Sequence, residues 1–115
     1  MKKADNSNFL EKIPYKNEAY NYSVDNAGVV TLEIENKGVF NRIAQLILKK
    51  PKFSYIHLDE FGSFVWNLCD GKSDIINIGK AVEQKFGENA NPLYERLSRY
   101  IKTLADYGFI KLHKQ

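Results

Sequence analysis

The sequence predicts a single α+β domain in which a three-stranded antiparallel sheet is followed by a three-helix bundle. Three observations carry that expectation. Apolar residues alternate at period two in three short stretches of the first half, the period lengthens to three and four from Asp59 onward, and Gly or Pro stands at most of the changes. At 115 residues the chain is the size of one domain.

The strands come first. Residues 19–24 (AYNYSV) alternate large apolar and polar side chains, the pattern of a strand buried on one face. Asp25, Asn26, Ala27 and Gly28 then supply a turn, because Asn and Gly accept positive φ at little cost, and residues 29–34 (VVTLEI) resume the β-branched alternation. This is a hairpin. Residues 38–50 shift to helical spacing through Val39, Phe40, Ile43, Leu46 and Ile47 before Pro51, so residues 36–51 read as an insertion helix. Residues 52–58 (KFSYIHL) form the third strand, with Ile56 and Leu58 on one face and Phe53, Tyr55 and His57 on the other.

From there the chain is helical. Asp59 caps a helix that turns Phe61, Phe64, Val65 and Leu68 inward and stops at Asp70 and Gly71. Ser73 or Asp74 caps a second, carrying Ile75, Ile78, Val82 and Phe86 to Gly87. Pro92 opens a third, in which Leu93, Leu97, Ile101 and Leu104 recur every three or four residues as far as Gly108. Residues 109–112 close the chain as a short extended segment. Residues 1–18 read as a polar N-terminal segment and residues 19–115 as the domain, whose order of elements is winged-helix-like.

Composition excludes several classes of function. No apolar run reaches the ~20 residues that span a bilayer, and residues 1–10 lack a signal peptide's apolar block, so the chain reads as cytoplasmic with no membrane partner. One cysteine and two distant histidines form neither an internal disulfide nor a zinc site. No phosphate loop, dinucleotide fingerprint or paired-carboxylate arrangement is present, and no cofactor, metal or catalytic residue is expected. Cys69 has no neighbouring histidine and reads as a small buried apolar residue. Up to His57 there are nine Lys and Arg against six Asp and Glu, and beyond it eight against eight. That distribution is a poor match for a backbone carrying regularly spaced phosphates.

Leu58 and Asp59 leading into a helix, the run Leu68-Cys69-Asp70-Gly71, the Ile-rich helix ending at Phe86-Gly87 and the closing Tyr107-Gly108-Phe109-Ile110 resemble the PqqD family. The resemblance covers residues 19–112, with the insertion at 36–51 as its departure. It implies a winged-helix-like fold and a non-catalytic peptide-binding chaperone, a recognition element for ribosomally made, modified peptides. Such a module presents a precursor's leader segment to a modifying enzyme, often of the radical SAM type.

By that resemblance the leader adds as a strand to the third strand's edge, at Phe53, Tyr55, Ile56 and His57, and packs against the third helix. Arg96, Tyr100 and Thr103 share one stripe of that helix and are the candidates for the opposite wall, Arg96 suiting an acidic leader residue. On this reading truncation of Tyr100 costs affinity and spares the fold. Each of these residues also has an ordinary structural role open to it, as sheet-face packing for Tyr55 and as a solvated helix face for the stripe. Trp66 and Phe64 cannot both point inward with Val65, which leaves one of them for the surface. The alternative function is a winged-helix nucleic-acid-binding regulator reading DNA with the third helix, whose net charge of +1 over residues 92–107 counts against it.

Overall fold

The turn at residues 25–28 forms as its side chains dictate: the Asp25 carboxylate accepts from the backbone N–H of Ala27 and of Val29, both at 2.9 Å, and Gly28 takes φ 86°. In this computed structural model, which describes residues 9–35 and 53–113, the turn joins strands β2 (Asn21–Val24) and β3 (Val30–Glu35). A further strand, β4 (Phe53–His57), pairs antiparallel with β3 on the other side, so the sheet order is β2-β3-β4. Register places Leu32 opposite both Tyr22 and Ile56, and Glu33 opposite both Asn21 and Tyr55. Paired residues share a face, so Tyr22, Leu32 and Ile56 look toward the helices and Tyr55 looks away. The proposed insertion helix at 36–51 lies outside the described residues.

The sheet-then-helices order needs two corrections. Residues 13–16, read from sequence as part of a polar leader, form a strand, β1 (Ile13–Lys16), and the closing segment forms β5 (Ile110–His113). These two pair with each other as a second, two-stranded sheet, with Pro14 opposite Leu112 and Tyr15 opposite Lys111. Pro14 is buried. Its carbonyl accepts from Gly71 N–H at 2.9 Å, so the residue that interrupts the alternation also ties β1 to the turn after the first helix.

Three helices cover the inner face: α1 (Glu60–Leu68), α2 (Ile75–Phe86) and α3 (Leu93–Asp106). Asp59 caps α1 by accepting from Gly62 N–H at 2.7 Å, and Asp74, rather than Ser73, caps α2 through Asn77 N–H at 2.9 Å. Val30, Leu32, Val65, Trp66, Ile75, Ile78, Val82, Leu97 and Ile101 form the core between sheet and helices. Trp66 is buried and Phe64 half-buried, so Phe64 takes the outer position. Ser63 is the buried polar residue that welds the layers. Its hydroxyl accepts from Val30 N–H at 2.9 Å and donates to Leu58 carbonyl at 3.4 Å, bridging the second bond of a pair whose first runs from Leu58 N–H to Val30 carbonyl.

Two glycines set how closely α3 approaches. A Cβ on Gly79 of α2 would collide with the Tyr94 ring, and a Cβ on Gly62 of α1 would collide with the Tyr100 hydroxyl. Tyr94 completes its contact by donating to the Ile76 carbonyl at 3.0 Å.

Candidate functional site

Alternation of antiparallel hydrogen bonds decides which backbone groups of β4 are open. Leu58 N–H donates to Val30 carbonyl at 2.8 Å, so every second residue back along β4 bonds to β3, and Tyr55 and His57 direct their N–H and carbonyl groups away from it. Among the described residues no strand pairs with that side. Tyr55 is 58% exposed and Ile56 40% exposed, although Ile56 lies on the face that turns toward the helices. An apolar side chain there, wet beside an unpaired edge, is what an added strand would cover. Phe53 is half-buried on the outer face with Tyr55 and His57, and His57 Nδ1 shares a hydrogen bond of 2.8 Å with Thr31 Oγ1 on the neighbouring strand.

The stripe on α3 divides. Arg96 and Tyr100 converge on Phe61, in the first turn of α1 directly after β4. The guanidinium carbon lies 4.1 Å from the Phe61 ring centroid, and Tyr100 meets the same ring edge-on at 5.9 Å. Arg96 Nη1 donates to the Asn89 carbonyl at 2.9 Å, which fixes the fork over the ring. Thr103 is exposed and donates its hydroxyl back to the Arg99 carbonyl at 2.8 Å, one turn earlier on its own helix. Tyr100 is half-buried. Burial, with the Asp59 carboxylate adding to it, pushes its phenol well above the ordinary range, and the oxygen has no hydrogen-bond partner. Truncating it would empty the space against Phe61 and Gly62, so Tyr100→Ala disturbs packing as well as any binding role.

The same geometry disposes of Cys69 as a nucleophile. Its thiol is buried, donates to the Val65 carbonyl at 3.4 Å, and burial pushes it up to about 12. No group of three or more metal-ligating side chains occurs among the described residues, and no described helix is long and apolar enough to cross a membrane.

A family model described as coenzyme PQQ synthesis protein D (PqqD) matches residues 28–110. The chain belongs to the PqqD family. Its members are non-catalytic, peptide-binding chaperones for ribosomally made precursors. No curated protein and no solved structure matches. The PqqD match takes in β3, β4 and all three helices, the elements that carry the open edge and the Arg96 and Tyr100 pair, and it begins after β2. It is therefore narrower than the span of 19–112 read from the sequence.

Sequence reasoning missed what seats the α3 residues. Phe61, Gly62 and Asn89 place Arg96 and Tyr100, and the one visible signal was the Asp59-x-x-Gly62 spacing at a helix start, which marks the cap and not the contact.

Proposed function

We propose that this chain is a non-catalytic adaptor that binds the leader segment of a ribosomally made precursor as a strand added to β4 and presents it to a modifying enzyme of the radical SAM type in the cytoplasm. The observation that carries the reading is the edge of β4 within the PqqD-matched region, unpaired among the described residues, with Tyr55 and His57 offering backbone donors and acceptors beside the exposed Ile56. Main-chain bonds from that edge supply affinity, and side chains at alternate positions supply selectivity. Arg96 and Tyr100, which converge on Phe61 in the first helical turn after β4, are the proposed wall against which the leader packs, with Phe53 and Thr103 at the margins.

The regulator reading finds less support. Of the three cations on α3, Arg96 is held over Phe61 and Arg99 reaches Glu95 at 3.7 Å, which leaves little for a row of phosphates.

Titration calorimetry of the full chain with a synthetic peptide of its precursor's leader tests the proposal through Tyr55→Pro. That substitution removes an outward N–H and leaves the β3 ladder intact, whereas proline at Ile56 would break the ladder. A loss of about ten- to a hundredfold in affinity is expected. Unchanged affinity in a folded Tyr55→Pro chain would remove the leader from β4.

A further inference from the structure

The opposite edge of the same sheet is open as well. Asp25 N–H donates to the Val29 carbonyl at 3.0 Å, and alternation from that pair turns the backbone groups of Tyr22 and Val24 away from β3. No strand among the described residues covers them. Residues 19–24 (AYNYSV) hold no charge, proline or glycine, the devices that keep an edge from pairing. The Tyr22 and Val24 side chains face the helix layer yet stand 43% and 47% exposed, the Tyr22 ring lying edge-on to buried Trp66 at 5.4 Å.

Such a strand is complementary to itself in one register. Ser23 opposite the partner's Ser23 places Tyr22 opposite the partner's Val24, and the outward groups of these residues then close two reciprocal pairs of backbone hydrogen bonds. Opposed residues share a face, so each Tyr22 ring covers the partner's Val24, an aromatic and β-branched pair, and both exposures close together. Neighbouring registers do worse. Centring on Tyr22 sets Val24 against the partner's Tyr20, whose N–H is already donated to the Asn17 carbonyl at 3.2 Å, and centring on Val24 sets Tyr22 against Asn26 in the turn. At β4 the corresponding pairing would set the helix-facing Ile56 against Ser54, with no apolar match. Charge permits the approach at β2. The cleft beside Tyr22 is lined by Lys16 together with Glu18 and Asp70, so this flank carries both signs and sets no single-sign field against its own copy.

We infer that two copies of this chain pair through their β2 strands about a twofold axis at Ser23, making one continuous sheet with both helix layers on the same side. The inference goes beyond the adaptor reading and does not depend on it. The strand order becomes β4-β3-β2-β2-β3-β4, which leaves both β4 edges open at the rims, about 24 Å apart. A twofold pairing closes on itself, whereas β2 joined to β4 of another copy would propagate into an open filament. The contact is small, a four-residue strand with two exposed apolar side chains from each copy, so the dimer is a weak and reversible one.

Sedimentation equilibrium of the full chain at low ionic strength, where charge effects are least screened, tests this. A monomer–dimer equilibrium with a dissociation constant between about 10 μM and about 1 mM is expected. Ser23 is exposed on the outer face, so charging it spares the fold. Ser23→Lys and Ser23→Glu should each weaken the dimer about two- to fivefold, because like charges meet at the axis, and an equimolar mixture of the two should recover the lost strength. Tyr55→Pro, checked for folding by circular dichroism, should leave the dimer as it was. A chain monomeric up to about 1 mM, a mixture no stronger than the separate variants, a dimer lost in folded Tyr55→Pro, or association that continues beyond two copies overturns the inference.

Discussion

The two edges of one three-stranded sheet differ in what they offer a visiting chain. At β4 the outward backbone groups belong to Tyr55 and His57, whose side chains point away from the helices, and the helix-facing residue, Ile56, is bonded to β3. At β2 the phase is reversed. The outward groups belong to Tyr22 and Val24, whose side chains point toward the helices. Beyond β4 the chain leads into Phe61, on which Arg96 and Tyr100 converge, whereas beside β2 the Tyr22 ring meets buried Trp66. One alternation rule, applied from two different bonds, gives two chemically distinct edges.

The largest effect that separates them comes from crossing the two prolines. Tyr55→Pro should weaken leader binding by about ten- to a hundredfold in calorimetry and Val24→Pro should leave it within about twofold, since each removes a donor from its own edge. Equal losses in both would merge the two edges into one site. Next is the seat of the β4 wall. Gly62→Ala should destabilise the fold by about 1–3 kcal/mol in urea unfolding, because the added methyl meets the Tyr100 ring end and outweighs the gain in helix propensity. Its leader affinity should fall with it.

Tyr100→Phe sharpens the same point at smaller scale. The hydroxyl is buried without a partner, so its removal should leave stability unchanged or raise it by up to about 1 kcal/mol, read as a shift in the urea midpoint. The smallest effect belongs to the β2 side and to acid. The Lys72 N–H above all, with lesser help from Ser73 N–H and the Lys16 charge, holds the Asp70 carboxyl below its ordinary value of 3.8. A lowered native value means that Asp70 stabilises the fold fully above the ordinary value and loses that contribution as pH falls through the lowered one. Asp70→Asn should accordingly be slightly less stable than the parent at neutral pH and indistinguishable from it in strong acid, as followed by circular dichroism.

Much of this architecture was legible because it is periodic. Asp59 and Asp74 announce helix starts, the Leu97, Ile101 and Leu104 stripe is the α3 core face, and Asp25 to Gly28 make the turn that their side chains require. β1 was not legible: four residues with a proline among them carry too little alternation, and what makes them a strand is the distant partner β5. The same holds at the site. Residues 53–57 are readable as an edge strand from their position before the helices, but nothing in the order of residues shows that Arg96 is spent on Phe61 and Asn89, or that the Thr103 hydroxyl folds back on its own helix.

The two tyrosine-on-glycine contacts of α3 carry a consequence for how this chain can change length. Tyr94 on Gly79 and Tyr100 on Gly62 pin the helix at two points against two different neighbours, so its rotation and its axial position are both fixed. One residue inserted between them would turn everything downstream by about 100° and lift Tyr100 off Gly62, and inserted before Arg96 it would also carry the guanidinium away from Phe61. The same residue inserted at 87–91 would keep the Tyr94-to-Tyr100 spacing, its cost falling instead on the 3₁₀ turn there, with buried Ala90 and the Asn89 carbonyl that accepts from Arg96. The stretch of α3 between the two pins is thus the part of the helix least able to change length.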